Sequence, residues 1–152
     1  MKFFYIIIAT FFSSISFSQD LNIKFIEQIM YLDFSKIENF MVEGYGFKII
    51  DLDKDLNKEN GLQFFKIKNE NSDSILLITV YRGSKIKINT LKISLAKNYS
   101  ISEIKQNFIE NNYLYIGEFE DIFWVYEKGD VIVSISKKPN KVGANQIIVS
   151  NK

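Results

Sequence analysis

A train of short β-branched and aromatic runs, each cut off by turn-forming residues, limits this chain's fold more than any other feature. In order they are YGFKIIDL from Tyr45, LQFFKIK from Leu62, ILLITVYR from Ile75, IKINTLKIS from Ile86, YLYIGEFE from Tyr113, IFWVYEK from Ile122, VIVSIS from Val131 and NQIIVS from Asn145. The breaks at Asn69 to Asp73, Gly83-Ser84, Gly129-Asp130 and Pro139 to Gly143 carry the residue types that turn a chain. Connections this short make neighbouring strands antiparallel, because parallel pairing needs a long crossover.

The runs fall into two groups of four, and a helical stretch precedes each group. Ser35-Lys36-Ile37-Glu38 and Ser100-Ile101-Ser102-Glu103 both fit the capping box, in which the Ser and Glu side chains satisfy backbone donors of the first turn. Ile37, Phe40 and Met41, and then Ile101, Ile104 and Phe108, supply one apolar face to each helix. The two helices run into matching words, NFMVEGYGF from Asn39 and NFIENNYLY from Asn107. Gly44 and Asn112 are the residue types that most readily turn left-handed just past a helix, so each word predicts a Schellman end. Its hydrophobic contact would be Phe40 on Tyr45 and Phe108 on Tyr113.

The expected fold is α+β: two consecutive helix-plus-four-strand units, residues 19–99 and 100–152, forming antiparallel sheet with helices on one face, in one compact domain. Asp20 to Leu32, with Ile23, Ile26 and Met30 at helical spacing, predicts a further N-terminal helix. The segment DLDKDLNKENG from Asp51 lengthens the first unit relative to the second. This element order resembles the tandem α-β-β-β modules of secreted and periplasmic binding proteins, of the β-lactamase-inhibitor-protein and PepSY-like types. The resemblance implies binding or inhibition of another protein. It rests on architecture and carries no individual site residue across.

The N-terminus, MKFFYIIIATFFSSISFSQD, has one Lys, an apolar stretch from Phe3 to about Phe12, and small residues at Ser16 and Ser18. Residues 1–18 read as a cleaved secretory signal peptide, shorter than the roughly 20 apolar residues a membrane span needs. The expected location is therefore exported, periplasmic or extracellular, with no stable membrane anchor after cleavage. The chain has no Cys, so neither disulfides nor a cysteine-linked lipid contribute, and stability must come from an ordinary core. The formal charge of +1 falls to zero when Lys2 leaves with the leader, and the lysines form no block. Nucleic acid is not an expected partner, because its binding needs a clustered basic footprint.

The catalytic inventory is thin. The absence of His removes Ser-His-Asp and Cys-His catalysis and the commonest zinc sites. Two S-x-x-K tetrads, Ser94 to Lys97 and Ser134 to Lys137, match a motif that penicillin-binding enzymes place at a helix start, but Ser134 falls in a predicted strand. Asp51, Asp53, Asp55 and Asn57 alternate as in a calcium loop but lack the Gly and Glu of an EF-hand. Glu118, Glu120 and Asp121 bring carboxylates together at one strand end without a visible cleft. The expectation is a protein that is not an enzyme and has no cofactor and no metal site.

Several strands are apolar on both faces, notably Phe64-Phe65, Ile75 to Ile78 and Phe123 to Tyr126. A sheet with one wet face should alternate. Aromatic side chains are favoured at interfaces because they bury large area and keep a polar tip. Tyr113, Tyr115, Ile122, Trp124 and Tyr126 are therefore the candidate protein-binding residues, with Ile122, Trp124 and Tyr126 on one strand face. The expected function is a non-catalytic exported binding module whose partner is another envelope or secreted protein. A self-associating structural protein, with the patch as a homodimer contact, and a carrier of a small apolar ligand or an unrecognised hydrolase are the alternatives.

Overall fold

Ile23, Phe25, Ile26, Ile29 and Met30 fall on one side of a 3.6-residue period, and in the computed structural model they form the buried face of helix α1, Ile23–Tyr31. The structure describes residues 21–50, 60–67, 75–83, 88–96 and 99–152. The leader, and Asp51, Asp53, Asp55 and Asn57 of the calcium-like segment, lie outside the described residues. Asn22 caps α1 by accepting a 2.7 Å bond from the Phe25 N–H. At the other end the buried Asn89 donates from its side chain to the carbonyls of Ile29 and Leu32, at 2.8 and 2.9 Å, and from its backbone to Met30 at 2.8 Å. One buried amide thereby satisfies carbonyls that a helix end leaves orphaned.

Helix α2, Phe34–Asn39, starts two residues earlier than the Ser35 capping box predicts. Asp33 is the cap, and its carboxylate accepts from both the backbone and the hydroxyl of Ser35, at 2.9 and 2.7 Å. Those two bonds hold the Asp33 carboxyl below its ordinary range, the hydroxyl bond contributing most. Asp outcompetes Ser here because a full charge accepts more strongly and favours the positive helix start.

α2 runs into a π-helical turn, Phe40–Gly44, and the left-handed residue is Gly46, not Gly44. Gly46 donates to Val42 at 3.1 Å and Phe47 donates to Met41 at 3.0 Å. Helix α3, Ile101–Glu110, ends as expected: Asn112 is left-handed, Asn112 donates to Ile109 and Tyr113 to Phe108, both at 3.0 Å. These are the two bonds of a Schellman motif. Ser100 caps its start, accepting from the Glu103 N–H at 3.3 Å. The first helix end is thus one residue longer than the second. The residues joined by the outer bond of each helix end, Phe108 with Tyr113 and Met41 with Phe47, are all buried, whereas Phe40 and Tyr45, which match Phe108 and Tyr113 by sequence, make the expected ring contact at 4.9 Å but are half-exposed.

All eight expected strands form: β1 Lys48–Ile50, β2 Gly61–Ile67, β3 Ile75–Tyr81, β4 Thr90–Leu95, β5 Leu114–Phe119, β6 Phe123–Lys128, β7 Val131–Ser136 and β8 Asn145–Asn151. They make one antiparallel sheet in the order β1-β2-β3-β4-β8-β7-β6-β5. β4 and β8 pair in the middle, so β1 and β5 are its two edges.

Alternation sorts the side chains. Leu62 and Phe64, Leu76, Ile78 and Val80, Leu91, Ile93 and Leu95, Val131, Val133 and Ile135, and Ile147 and Val149 all point to one face. Together with the buried faces of α1, α2 and α3 they form one core cluster. The class is therefore α+β with an antiparallel sheet.

Candidate docking edge

The β5 end of the sheet brings the five sequence candidates together but divides them by environment. Tyr113 is buried, its ring edge-on to Phe108 at 5.1 Å, with its hydroxyl donating to Glu27 at 3.2 Å. Glu27 also pairs with Lys128 at 2.8 Å, and the Lys128 ammonium lies 5.2 Å from the Tyr113 ring centre. Burial, and then the neighbouring Glu27 carboxylate, push the Tyr113 phenol well above its ordinary value. Tyr126 is also buried, 6.4 Å from Phe108 and 5.4 Å from Tyr115 between ring centres, and burial raises its phenol in turn.

Trp124 is half-buried on the helix side of β6, and the Lys105 ammonium of α3 sits 3.8 Å above its ring. Ile122 is exposed in the turn before β6 and so does not share the strand face expected of it. Tyr115 is exposed on β5. Burial removes Tyr113 and Tyr126 from any contact surface, because the end of α3 and the carboxylate of α1 cover them.

What remains at the surface is larger than the sequence candidates alone. Leu114 is 70% exposed, Ile116 54% and Phe119 57%, and with Tyr115 and Ile122 they put five large apolar side chains on the outside within nine residues. Among the described residues β5 pairs only with β6, so its outer row of backbone N–H and C=O groups faces outward along an apolar strand. The signal for this was present in YLYIGEF, apolar on both faces around a Gly. Its reading needs the knowledge that β5 is an edge.

Two backbone irregularities shape the strand. A bulge between Tyr115 and Gly117 shifts its register on β6, and Gly117 takes φ 138, a region that favours glycine. Glu120 and Asp121 then both take left-handed φ, 48 and 54, as Ile122 donates to Phe119 at 3.0 Å. This is the signature of a type I′ turn, whose usual residues are Asn-Gly. Glu118 of the carboxylate group forms an ion pair with Lys137, the lysine of the second S-x-x-K tetrad. Ser134 lies in β7, pointing opposite to Val133 and Ile135, and so away from the helices.

Among the described residues no group of three or more His, Cys, Asp or Glu side chains could hold a metal ion, and no helix is long and apolar enough to cross a membrane. A shallow groove of about 220 Å³ lies at the opposite edge, lined by Gly46, Lys48, Phe65, Lys66 and Ile67. It is smaller than the roughly 300 Å³ at which small-molecule sites begin. No family model matches the chain, and neither a curated protein nor a solved structure does. The likeness to tandem α-β-β-β modules therefore rests on element order alone.

Proposed function

We propose that this chain is a non-catalytic, exported protein-binding module that captures an extended strand along β5. The observation that carries the reading is the outward edge formed by Leu114, Tyr115, Ile116 and Phe119, with Ile122 at the adjoining turn. An added strand gains main-chain hydrogen bonds from the edge and specificity from the alternating side chains on both faces. Export rests on the leader in residues 1–18, and the partner class it implies is another envelope or secreted protein. We also read the chain as two consecutive helix-plus-four-strand units, 19–99 and 100–152, joined where β4 meets β8. Its support is the sheet order and the two Asn-Phe words at the helix ends.

The test uses the exposed strand, because truncating Tyr126 would damage the core. A partner bound at this edge slows amide exchange at residues 114–119, and Ile116→Lys, which places a charge in the docking row, abolishes that protection while circular dichroism stays unchanged. A bound partner that leaves these amides unprotected, or that survives Ile116→Lys, would remove the reading.

A further inference from the structure

We infer that the strand added to β5 is β5 of a second copy of this chain, antiparallel about a two-fold axis between Ile116 and Gly117; the inference rests on the reading of β5 as a docking edge. Pairing the six residues on themselves sets Leu114 opposite Phe119 of the second copy, Tyr115 opposite Glu118, and Ile116 opposite Gly117. In a regular six-residue strand this register fails. Opposed residues must share a face, yet the first and sixth residues of a regular strand point to different faces.

The bulge repairs the mismatch. Leu114 is in register with Glu127 and Phe119 with Phe123, so both lie on the face away from the helices, while Tyr115 and Glu118 are in register with Tyr126 and Trp124 on the helix side. One extra residue at Ile116 restores the parity of side chains and, by the same count, of the outward-pointing backbone groups. Ordinary bulges twist an edge away from partners. This one sits where it makes the edge complementary to itself.

Space and charge agree with that register. A Cβ placed on Gly117 would meet nothing within 4 Å, which leaves room for the Ile116 side chain brought opposite it. Glu118, Glu120 and Asp121 crowd one end of β5, whereas Asn111 and Asn112 stand at the other. Antiparallel addition sends the two acidic ends apart; parallel addition would put them side by side. The formal charge of +1 on the whole chain sets up little repulsion between copies. The described residues of β1, Lys48–Ile50, put a lysine in the other edge. Two-fold, self-complementary contacts of this kind are the commonest route to a homodimer.

Sedimentation of the purified protein from micromolar to millimolar concentration tests the association, and Ile116→Lys or Leu114→Lys is expected to weaken it by at least about tenfold, some 1.4 kcal/mol. The register is tested by disulfide trapping, which the absence of native Cys makes unambiguous. Mixing the Leu114→Cys and Phe119→Cys proteins under mild oxidation should give a covalent dimer. Leu114→Cys alone should not, since its two thiols would lie about 17 Å apart along the strands.

Trapping of Leu114→Cys with itself overturns the register. A strict monomer at every concentration overturns the second copy as partner. If the monomer still binds another protein in an Ile116-dependent way, the docking edge stands without the dimer. If that binding ignores Ile116→Lys, both fall.

Discussion

Both edges of the sheet grow out of a helix end, and they grow out differently. At Phe40 to Ile50 the helix loosens into a π turn, Gly46 takes the left-handed position, and the described residues of β1, Lys48–Ile50, include a lysine. At Phe108 to Phe119 the helix closes in a Schellman motif on Asn112, Tyr113 is buried directly after it, and β5 runs for six residues with apolar side chains outward. A charged edge resists adventitious strand addition, and an apolar one invites it. One inserted helical residue separates two ends that look alike by sequence, and the strands that follow present different side chains at the two edges.

The strongest way to break the comparison is to truncate the rings at each end. Phe108→Ala, which removes the partner of both Tyr113 and Tyr126, should cost about 3–5 kcal/mol in urea denaturation. If Met41 is its true counterpart, Met41→Ala should cost about 2–5 kcal/mol and the half-exposed Phe40→Ala clearly less. A larger loss at Phe40 than at Met41 would restore the sequence alignment of the two ends.

The ends also differ in their response to alkali. Tyr113 and Tyr126 have folded-state values raised above the ordinary 10.0, so ionisation is disfavoured in the folded chain and favoured in the unfolded one. Their contribution is fully present below pH 10 and declines as pH rises above it, because there the unfolded state releases protons that the folded state keeps. Phe47, in the corresponding place at the other end, has no such dependence. Tyr113→Phe should flatten the alkaline fall in a stability profile from pH 8 to 12, and an unchanged slope would refute the assignment.

Smaller effects probe the backbone. Gly46→Ala and Asn112→Ala each ask a β-carbon to adopt a left-handed conformation and should cost about 1 kcal/mol. Replacing Glu120-Asp121 by Asn-Gly should gain about 1 kcal/mol, because those residues suit two consecutive left-handed positions. A shift in thermal midpoint in the opposite direction for either would show that the turn assignments misplace the strain.

Much of the fold was legible. β-branched and aromatic runs between turn-forming stretches marked all eight strands, and helical spacing marked α1 and α3 with the Ser100 cap. The misses were local competitions between similar groups. Ser35 reads as a cap, but Asp33 two residues earlier accepts from it; Gly44 reads as the left-handed residue, but a π turn defers that role to Gly46. The candidate site was half legible. Aromatic content pointed to the β5–β6 hairpin, where Tyr113 and Tyr126 went to the core and Leu114, Ile116 and Phe119 to the surface.

What this sequence determined by itself is what depends on neighbours a few residues away: strand and helix periods, the Schellman end at Asn112, and the absence of His and Cys chemistry. Only the tertiary structure decided that β4 would meet β8, and hence that β5 would be an edge. It also decided that the Glu27 carboxylate of α1 would receive the Tyr113 hydroxyl. Burial is a property of what packs on a side chain from far along the chain. Two tyrosines in one hairpin, Tyr115 and Tyr126, can therefore read alike in sequence and end on opposite sides of the boundary between core and water.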